Sequence, residues 1–222
     1  MARRVAFVTI GQSPRPDVVP ELLDETRTPI TVTERGVLDG LSRAEIRAIA
    51  PGPGEERLVS RLADGTEVIL GKPAIQARLR ETFAELDEQG FDLIVLLCTG
   101  HFDTFRMRTA FLEPQQVVDN FVLGPTNGVE RLGILLPNRQ QIEEFHGIAG
   151  RTTSFAYASP YRDDDGIGEL RAASDALADA GAIVMHCMGY SEAMRRAVME
   201  RVRCPVLLPR RIVAHAIDLL LS

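Results

Sequence analysis

The sequence contains no long hydrophobic run. None of its apolar stretches approaches the ~18–20 residues that a bilayer-spanning helix needs. The first stretch, residues 5–10, follows Arg3 and Arg4, but it is too short for a signal-peptide core and no small-residue cleavage pattern follows it. We therefore expect a cytoplasmic protein without a membrane partner, and we interpret residues 5–10 as a strand.

Basic runs and cysteine frameworks are also missing. Lys and Arg number 25 against 31 Asp and Glu, which gives a formal net charge of −6 at pH 7. Because the sequence has no basic stretch, a nucleic-acid partner is not expected. The three cysteines match no disulfide framework and indicate free thiols in a reducing compartment.

Several signatures of cofactor, metal and nucleophile sites do not occur. The chain has no G-x-G-x-x-G fingerprint, no C-x-x-C or H-x-x-x-H spacing and no G-x-S-x-G elbow. A dinucleotide, a metal and a serine nucleophile are therefore not indicated, and we expect no cofactor. We interpret the acidic run Asp163–Asp165 as a solvated loop.

Short β-rich runs alternate with amphipathic segments, which is typical of parallel βαβ units. The patterns predict strands over residues 5–10, 30–35, 66–70, 91–97, 131–136, 153–157, 182–186 and 204–208. Helices are predicted to begin near Pro16 and at the Ser42 capping box, and to cover 55–63, 72–89, 114–121, 140–149, 167–180, 191–201 and 209–221. The order helix, glycine, apolar strand, cysteine occurs once in each half. We therefore expect an α/β protein with two lobes, residues 1–115 (completed by 205–222) and residues 116–204.

Cys98 and Cys187 come at matching places, each directly after an apolar strand and before a small polar turn. The carboxyl ends of parallel strands are where α/β proteins bind ligands. Two thiols there suggest a pair of acid/base or nucleophilic groups that face one cleft. The alternative is that each is a small buried hydrophobe, which is our interpretation of Cys204.

Polar side chains follow the first strand of each predicted lobe. Gly11, Ser13 and Arg15 form the first β–α turn, where amides and a guanidinium can hold a carboxylate or phosphate. Asn138 occupies the corresponding turn of the second half, where it could hold the other end of a ligand. The alternative in both places is an ordinary surface turn.

With these residues in view, the chain resembles the AroM family within the aspartate/glutamate/hydantoin racemase superfamily. The matching stretches run nearly the whole length of the chain: VAFVTIGQSPRPD (5–17), GVLDGLS (36–42), RLADGTE (61–67), LIVLLCTG (93–100), FLEP (111–114) and VMHCMGY (184–190).

The resemblance implies two similar α/β lobes with mostly parallel sheets, the active site in the cleft between them and one catalytic cysteine from each. By motif, Cys98 and Cys187 match those two cysteines. One thiolate would remove the α-proton of a small carboxylate substrate, and the opposite thiol would return a proton to the other face. The candidate substrate-binding residues are Gly11, Ser13, Arg15, Thr99, Gly100, Asn138, Met188, Gly189 and Tyr190.

Two departures from the superfamily pattern leave the reaction open. Thr99 stands where Asn is common after the first cysteine, and Met188 stands where Thr is usual after the second. We therefore expect a cofactor-independent racemase or epimerase of an amino acid or its derivative. The alternatives are an isomerase or decarboxylase of a small carboxylate and a carboxylate-binding protein without catalysis. Substrate, direction and oligomeric state stay open, a homodimer among the possibilities.

Overall fold

A computed structural model of the chain describes residues 2–145, 147–148, 150–162 and 167–222. The acidic run Asp163–Asp165, interpreted above as a solvated loop, lies outside the described residues. The strands are β1 (Arg3–Thr9), β2 (Ile30–Gly36), β3 (Arg57–Arg61), β4 (Glu67–Gly71), β5 (Leu93–Leu96), β6 (Phe111–Leu112), β7 (Arg131–Leu136), β8 (Thr152–Tyr157), β9 (Ala182–Met185) and β10 (Val206–Leu207). The helices are α1 (Val19–Glu25), α2 (Arg43–Ala48), α3 (Lys72–Asp87), α4 (Pro114–Leu123), α5 (Gln141–Glu144), α6 (Ile167–Ala176), α7 (Glu192–Met199) and α8 (Pro209–Leu221).

Two four-stranded parallel sheets form the centres of two lobes, which confirms the α/β fold expected from the sequence. The first sheet has the order β2-β1-β5-β6, and the second has the order β8-β7-β9-β10. Each position in one sheet therefore has a counterpart in the other. Strands β5 and β9 occupy equivalent inner positions.

Alternating side chains of each central strand enter two different cores, because successive residues of a strand point to opposite faces. In β1, Ala6 and Val8 pack with α3 and the β3–β4 hairpin, whereas Val5 and Phe7 pack with α1 and α8. The second sheet is covered by α6 and α7 on one face and by α4 on the other. Parallel sheets need such cover on both faces, which explains the nearly continuous apolar character of β5 and β9.

The helix that follows the last strand of each sheet packs on the other sheet. Val118 and Val122 of α4 pack on the second sheet, and Val213 and Ile217 of α8 pack on the first. Residues 205–222, expected to complete the first lobe, are therefore divided, since β10 pairs with β9 in the second sheet. Helices α4 and α8 lie between the sheets and connect the lobes.

The helix predicted over residues 55–63 is wrong. The segment contains β3, which pairs antiparallel with β4 around the turn at Asp64 and Gly65. Short apolar runs do not by themselves distinguish strand from helix, and the contacts of Leu58 with the first-lobe core decide the matter here. The predicted helices 140–149 and 167–180 also end early, at Glu144 and Ala176, although residues 146 and 149 lie outside the described part.

Candidate active site

Cys98 and Cys187 line the same cleft between the lobes. Cys98 lies two residues after the end of β5, and Cys187 lies two residues after the end of β9. The two thiols therefore follow equivalent strands of the two sheets. The cleft has an empty volume of ≈ 870 Å³, part of which is open to solvent. The turns that carry the thiols are also linked, because the Thr99 hydroxyl donates to the carbonyl oxygen of His186 at 3.1 Å.

Each thiol accepts a hydrogen bond from the backbone two residues later. The Gly100 N–H donates to Cys98 Sγ at 3.2 Å, and the Gly189 N–H donates to Cys187 Sγ at 3.3 Å. A backbone N–H that points at a sulfur stabilises the thiolate over the thiol. The two turns therefore give the same electrostatic support to two different sulfurs.

Burial of the two sulfurs acts in the opposite direction, because it favours the thiol over the thiolate. Cys98 is 8 % exposed and Cys187 is 7 % exposed. Desolvation raises the pKa of Cys98 to about 12 and also raises the pKa of Cys187. The charge of Cys187 adds to the rise in the pKa of Cys98, and both thiols are protonated in the resting cleft at neutral pH.

Tyr161 gives Cys187 a contact that Cys98 lacks. The Tyr161 hydroxyl lies 3.9 Å from Cys187 Sγ and accepts a hydrogen bond from Arg15 Nη2 at 3.2 Å. A guanidinium only donates, so the phenolic hydrogen is free to point at the sulfur. Burial raises the pKa of Tyr161, so its hydroxyl stays protonated. The chain Arg15–Tyr161–Cys187 lowers the pKa of that thiol against the effect of burial.

Arg15, expected to hold an anion, makes its contacts within the fold. Its guanidinium is buried and makes a bidentate pair with Asp17 at 2.8 Å, and Nη1 donates to the Thr9 hydroxyl at 2.8 Å. Arg15 does not line the cleft. It supports Tyr161 rather than offering a free guanidinium to a substrate carboxylate.

The other predicted site residues divide into two groups. Thr99, Gly100 and Met188 line the cleft beside the two cysteines. The remaining five residues do not line it: Gly11, Ser13, Asn138, Gly189 and Tyr190.

Contacts within the fold explain that second group. Ser13 donates from its backbone and its hydroxyl to Asp39, and Asn138 accepts from the Gln140 N–H within its own turn. A Cβ on Gly11 would lie 2.3 Å from the backbone oxygen of Arg61, so this glycine allows the hairpin to approach the first turn. The polar turns predicted as an anion seat therefore make contacts within the fold, and their role in binding stays a prediction.

Gly189 and Tyr190 act from behind the cleft. A Cβ on Gly189 would lie 2.4 Å from the Tyr161 hydroxyl, so only glycine lets the tyrosine approach Cys187. Tyr190 is fully buried and donates to the carbonyl oxygen of Ala158 at 2.7 Å. Both residues shape the turn after β9 without contacting a molecule in the cleft.

The β3–β4 hairpin forms one wall of the cleft and joins the two lobes. Leu58, Val59 and Ser60 line the cleft. The Arg57 N–H donates to Glu144 Oε2 at 2.8 Å, and the Arg57 guanidinium is paired with the same carboxylate. At the far edge of the hairpin, the hydroxyl of Ser159 is bonded to Glu67.

A polar wall lies on the second-lobe side. His186 Nε2 lies 2.9 Å from Asp119 Oδ1, and Gln115 Nε2 donates to Asp119 Oδ2 at 2.6 Å. Three side-chain atoms of cleft-lining residues are buried without a hydrogen-bond partner: Ser60 Oγ, Gln115 Oε1 and Gln141 Oε1. Buried polar atoms without partners are costly, so they mark places where a bound molecule can complete the hydrogen bonding.

Several of these residues escaped the sequence analysis because their signals are weak. Tyr161 lies four residues after the end of β8, in a segment for which no strand or helix was predicted. Ser60 and Arg57 were assigned to a helix that does not form. Gln115 follows Pro114, which begins α4 shortly after the end of a strand, and that position is the signal that marks it.

Two further features concern the described residues as a whole. Among them, no group of three or more His, Cys, Asp or Glu side chains is arranged to hold a metal ion. No helix in the described ranges combines the length and the apolar character that crossing a bilayer requires.

The chain is similar to known proteins in sequence pattern and in fold. The AroM family, described as "AroM protein", matches residues 5–221. No curated protein matches the chain at a significant level of sequence similarity.

Solved structures of the same fold include enzymes of three kinds. Aspartate racemase from Picrophilus torridus has 12% identity and a TM-score of 0.62, and the alignment covers 97% of this chain and 92% of that one. Allantoin racemase from Klebsiella pneumoniae has 13% identity, a TM-score of 0.62 and coverage of 99% and 87%. Arylmalonate decarboxylase has 14% identity, a TM-score of 0.58 and coverage of 98% and 92%. At these identities the likeness establishes a shared two-lobed fold.

Proposed function

We propose that this chain, which belongs to the AroM family, is a cofactor-independent racemase or epimerase of an amino acid or amino-acid derivative. Cys98 and Cys187 are the two acid/base groups. The observation that supports this most is their shared arrangement: both line one cleft, both leave equivalent strands, and both accept an N–H from the second residue after them.

The proton balance of the reaction needs one thiolate and one thiol. The thiolate takes the α-proton, so that a C–H bond breaks and an S–H bond forms. The opposite thiol then gives its proton to the other face of the carbanion and becomes the new thiolate. Cys187 is the better thiolate, because a glycine N–H and Arg15 lower the pKa of both thiols whereas the Tyr161 hydroxyl lowers that of Cys187 alone.

The reacting carboxylate needs hydrogen-bond donors near the two sulfurs. The Ser60 hydroxyl is buried, belongs to a cleft-lining residue and has no partner, so it can donate to a carboxylate oxygen. We place the carboxylate there rather than at Ser13 and Arg15. A Ser60→Ala variant should then weaken substrate binding without changing either thiol.

Solvent-deuterium exchange tests the proposal. Amino acids, hydantoins and dicarboxylates are incubated with the protein in D₂O, and loss of the α-proton NMR signal is followed together with optical rotation. At early conversion a two-base racemase introduces deuterium into the product enantiomer, while the recovered substrate keeps its α-proton. Cys98→Ser and Cys187→Ser should each slow racemisation by at least ~100-fold, the usual loss when a general acid or base is removed.

Cys204→Ser is the matched control, since Cys204 does not line the cleft. It should racemise the substrate at the wild-type rate. Wild-type turnover by either Cys98→Ser or Cys187→Ser would reject the two-base mechanism.

Decarboxylation of a small carboxylate is the second candidate, and the raised thiol pKa values favour it. A protonated thiol is ready to give a proton to the carbanion that loss of CO₂ leaves behind, and this chemistry needs only one cysteine. In the same assay it would release CO₂, and only one of the two cysteine variants would be inactive. Ligand-dependent stabilisation without exchange or CO₂ release would instead indicate a binding protein.

A further inference from the structure

Two glutamines that line the cleft have their amide orientations determined by neighbouring oxygens. Gln115 Nε2 donates to the Asp119 carboxylate at 2.6 Å, and Gln141 Nε2 donates to the Arg57 carbonyl oxygen at 2.9 Å. Turning either amide over would place two oxygens against each other. The atoms without a partner are therefore Gln115 Oε1 and Gln141 Oε1, both of which are acceptors.

The carboxylates around these amides already have partners. Glu56 is paired with Lys72 and Glu144 with Arg57, and Asp119 Oδ1 lies 2.9 Å from His186 Nε2. Among the described residues that line the cleft, Arg57 is the one Arg or Lys, and Glu144 occupies it. Those residues therefore offer no unpaired guanidinium or lysine ammonium group to a second carboxylate.

We propose that the part of the substrate remote from the reacting carbon carries neutral N–H donors, as a carboxamide or ureido group does, and that Gln115 Oε1 and Gln141 Oε1 accept them. This inference rests on the proposed function for the reacting carbon. It narrows the substrate from small carboxylates in general to carboxylates with an amide-like second group. The second carboxylate of a dicarboxylate would face the two glutamine oxygens, and none of these acceptors would gain a hydrogen bond. Polar sites discriminate strongly against ligands that leave their hydrogen-bonding groups unpaired.

The test compares isosteric probes that differ only in that group. Succinamate and succinate, asparagine and aspartate, glutamine and glutamate, and N-carbamoylglycine and succinate are titrated into the wild-type protein by calorimetry, with thermal shift in parallel. At least one amide or ureido probe should bind about 10-fold more tightly than its carboxylate counterpart, as expected for a neutral hydrogen bond gained against an unpaired acceptor.

Gln115→Met and Gln141→Met remove the two acceptors while keeping side-chain length. Each should reduce the preference for the amide probe to within about 2-fold of the carboxylate. The neighbouring Gln116→Met and Gln140→Met are matched controls, because both side chains are exposed. They should retain the wild-type preference, and two independent acceptor variants keep the test valid if one of them folds poorly.

The inference is overturned if the carboxylates bind as well as the amides, if no probe of either kind binds, or if the preference survives both acceptor variants. Its failure differs from failure of the proposed function. Cysteine-dependent exchange on dicarboxylates would overturn the inference and leave the proposed function standing. Glutamine-dependent amide binding without exchange would support the inference and count against the racemase.

Discussion

Arg210 and Cys187 are connected through a single peptide group. Arg210 Nε donates to the carbonyl oxygen of Met188 at 2.7 Å, and the N–H of the same peptide unit, that of Gly189, donates to Cys187 Sγ at 3.3 Å. Because a peptide group is planar, holding its carbonyl also directs its N–H. Arg210 is buried and donates to the Gly189 carbonyl as well. It is therefore a positioning residue for the thiol.

Replacing that guanidinium should disturb the thiol and the fold together. Arg210→Lys loses the planar fork that reaches both carbonyls, and we expect a loss of about 1–3 kcal/mol in the free energy of unfolding. The pKa of Cys187 should rise, which lowers its alkylation rate at pH 10 and moves the pH profile of turnover upward. Arg211→Lys, the exposed neighbour on α8, is the control, and equal alkylation of Cys187 in both variants would argue against the positioning role.

We expect the hydroxyl of Tyr161 to affect the pKa of Cys187 and turnover rather than the stability of the fold. Tyr161→Phe keeps the ring but removes the contact with Cys187 Sγ and the acceptor for Arg15. We expect the pKa of Cys187 to rise and turnover to fall by about 10-fold, the cost of one hydrogen bond to a charged group. Tyr157→Phe is the control, because Tyr157 is exposed. A pH profile identical to that of the wild type would show that Tyr161 does not act on the thiol.

The three thiols should react with iodoacetamide in a definite order. Burial raises the pKa of all three thiols, but Cys204 is partly exposed whereas Cys98 and Cys187 are buried. At pH 8 we expect Cys204 to be alkylated first, and labelling of Cys98 should increase as the pH rises toward about 12 because the thiolate is the reactive form. Peptide mass spectrometry measures each site. Early labelling of Cys98 at pH 8 would contradict the burial described above.

Glu113 should make stability depend on pH near neutrality. Burial raises the pKa of Glu113 from 4.5 to about 7, so its proton is bound more tightly in the folded state than in the unfolded state. The resulting stabilisation is complete below pH 4.5 and is lost as the pH rises through about 7. Glu113→Gln stays neutral. Its free energy of unfolding should therefore increase relative to that of the wild type as the pH rises from 5 to 8. Urea unfolding measures the difference, with the exposed Glu130→Gln as control.

The hairpin wall should loosen when its contact with the second lobe is removed. Glu144→Ala deprives the Arg57 N–H and guanidinium of their shared acceptor. We expect faster hydrogen exchange at the amides of residues 57–61, while β1 and β5 keep their protection. Glu143→Ala, an exposed neighbour, should leave the exchange unchanged. Unchanged exchange in Glu144→Ala would mean that the other contacts of the hairpin, among them Gln141 with the Arg57 carbonyl and Ser159 with Glu67, hold it without Glu144.

The local sequence pattern was sufficient to predict the parallel strands and the positions of the two thiols at strand ends. Apolar runs of strand length that end in Cys98 and Cys187 depend on near-neighbour chemistry, and so does the capping box at Ser42, which the structure confirms. The helix over residues 209–221 was likewise predicted with its observed bounds, because Pro209 begins it and its apolar spacing continues to Leu221. Each of these features is encoded within a few consecutive residues.

Only the tertiary structure decided what surrounds the thiols. The sequence placed Arg15 at a strand end and two residues from Asp17, but its contact with Tyr161 depends on a loop 146 residues away. Arg210 reaches the turn after Cys187 from α8, and the oxygens beside Gln115 and Gln141 orient their amides so that Oε1 is left to accept. Hydrogen-bond direction and desolvation depend on which groups meet across the lobes, and sequence periodicity carries no information about that.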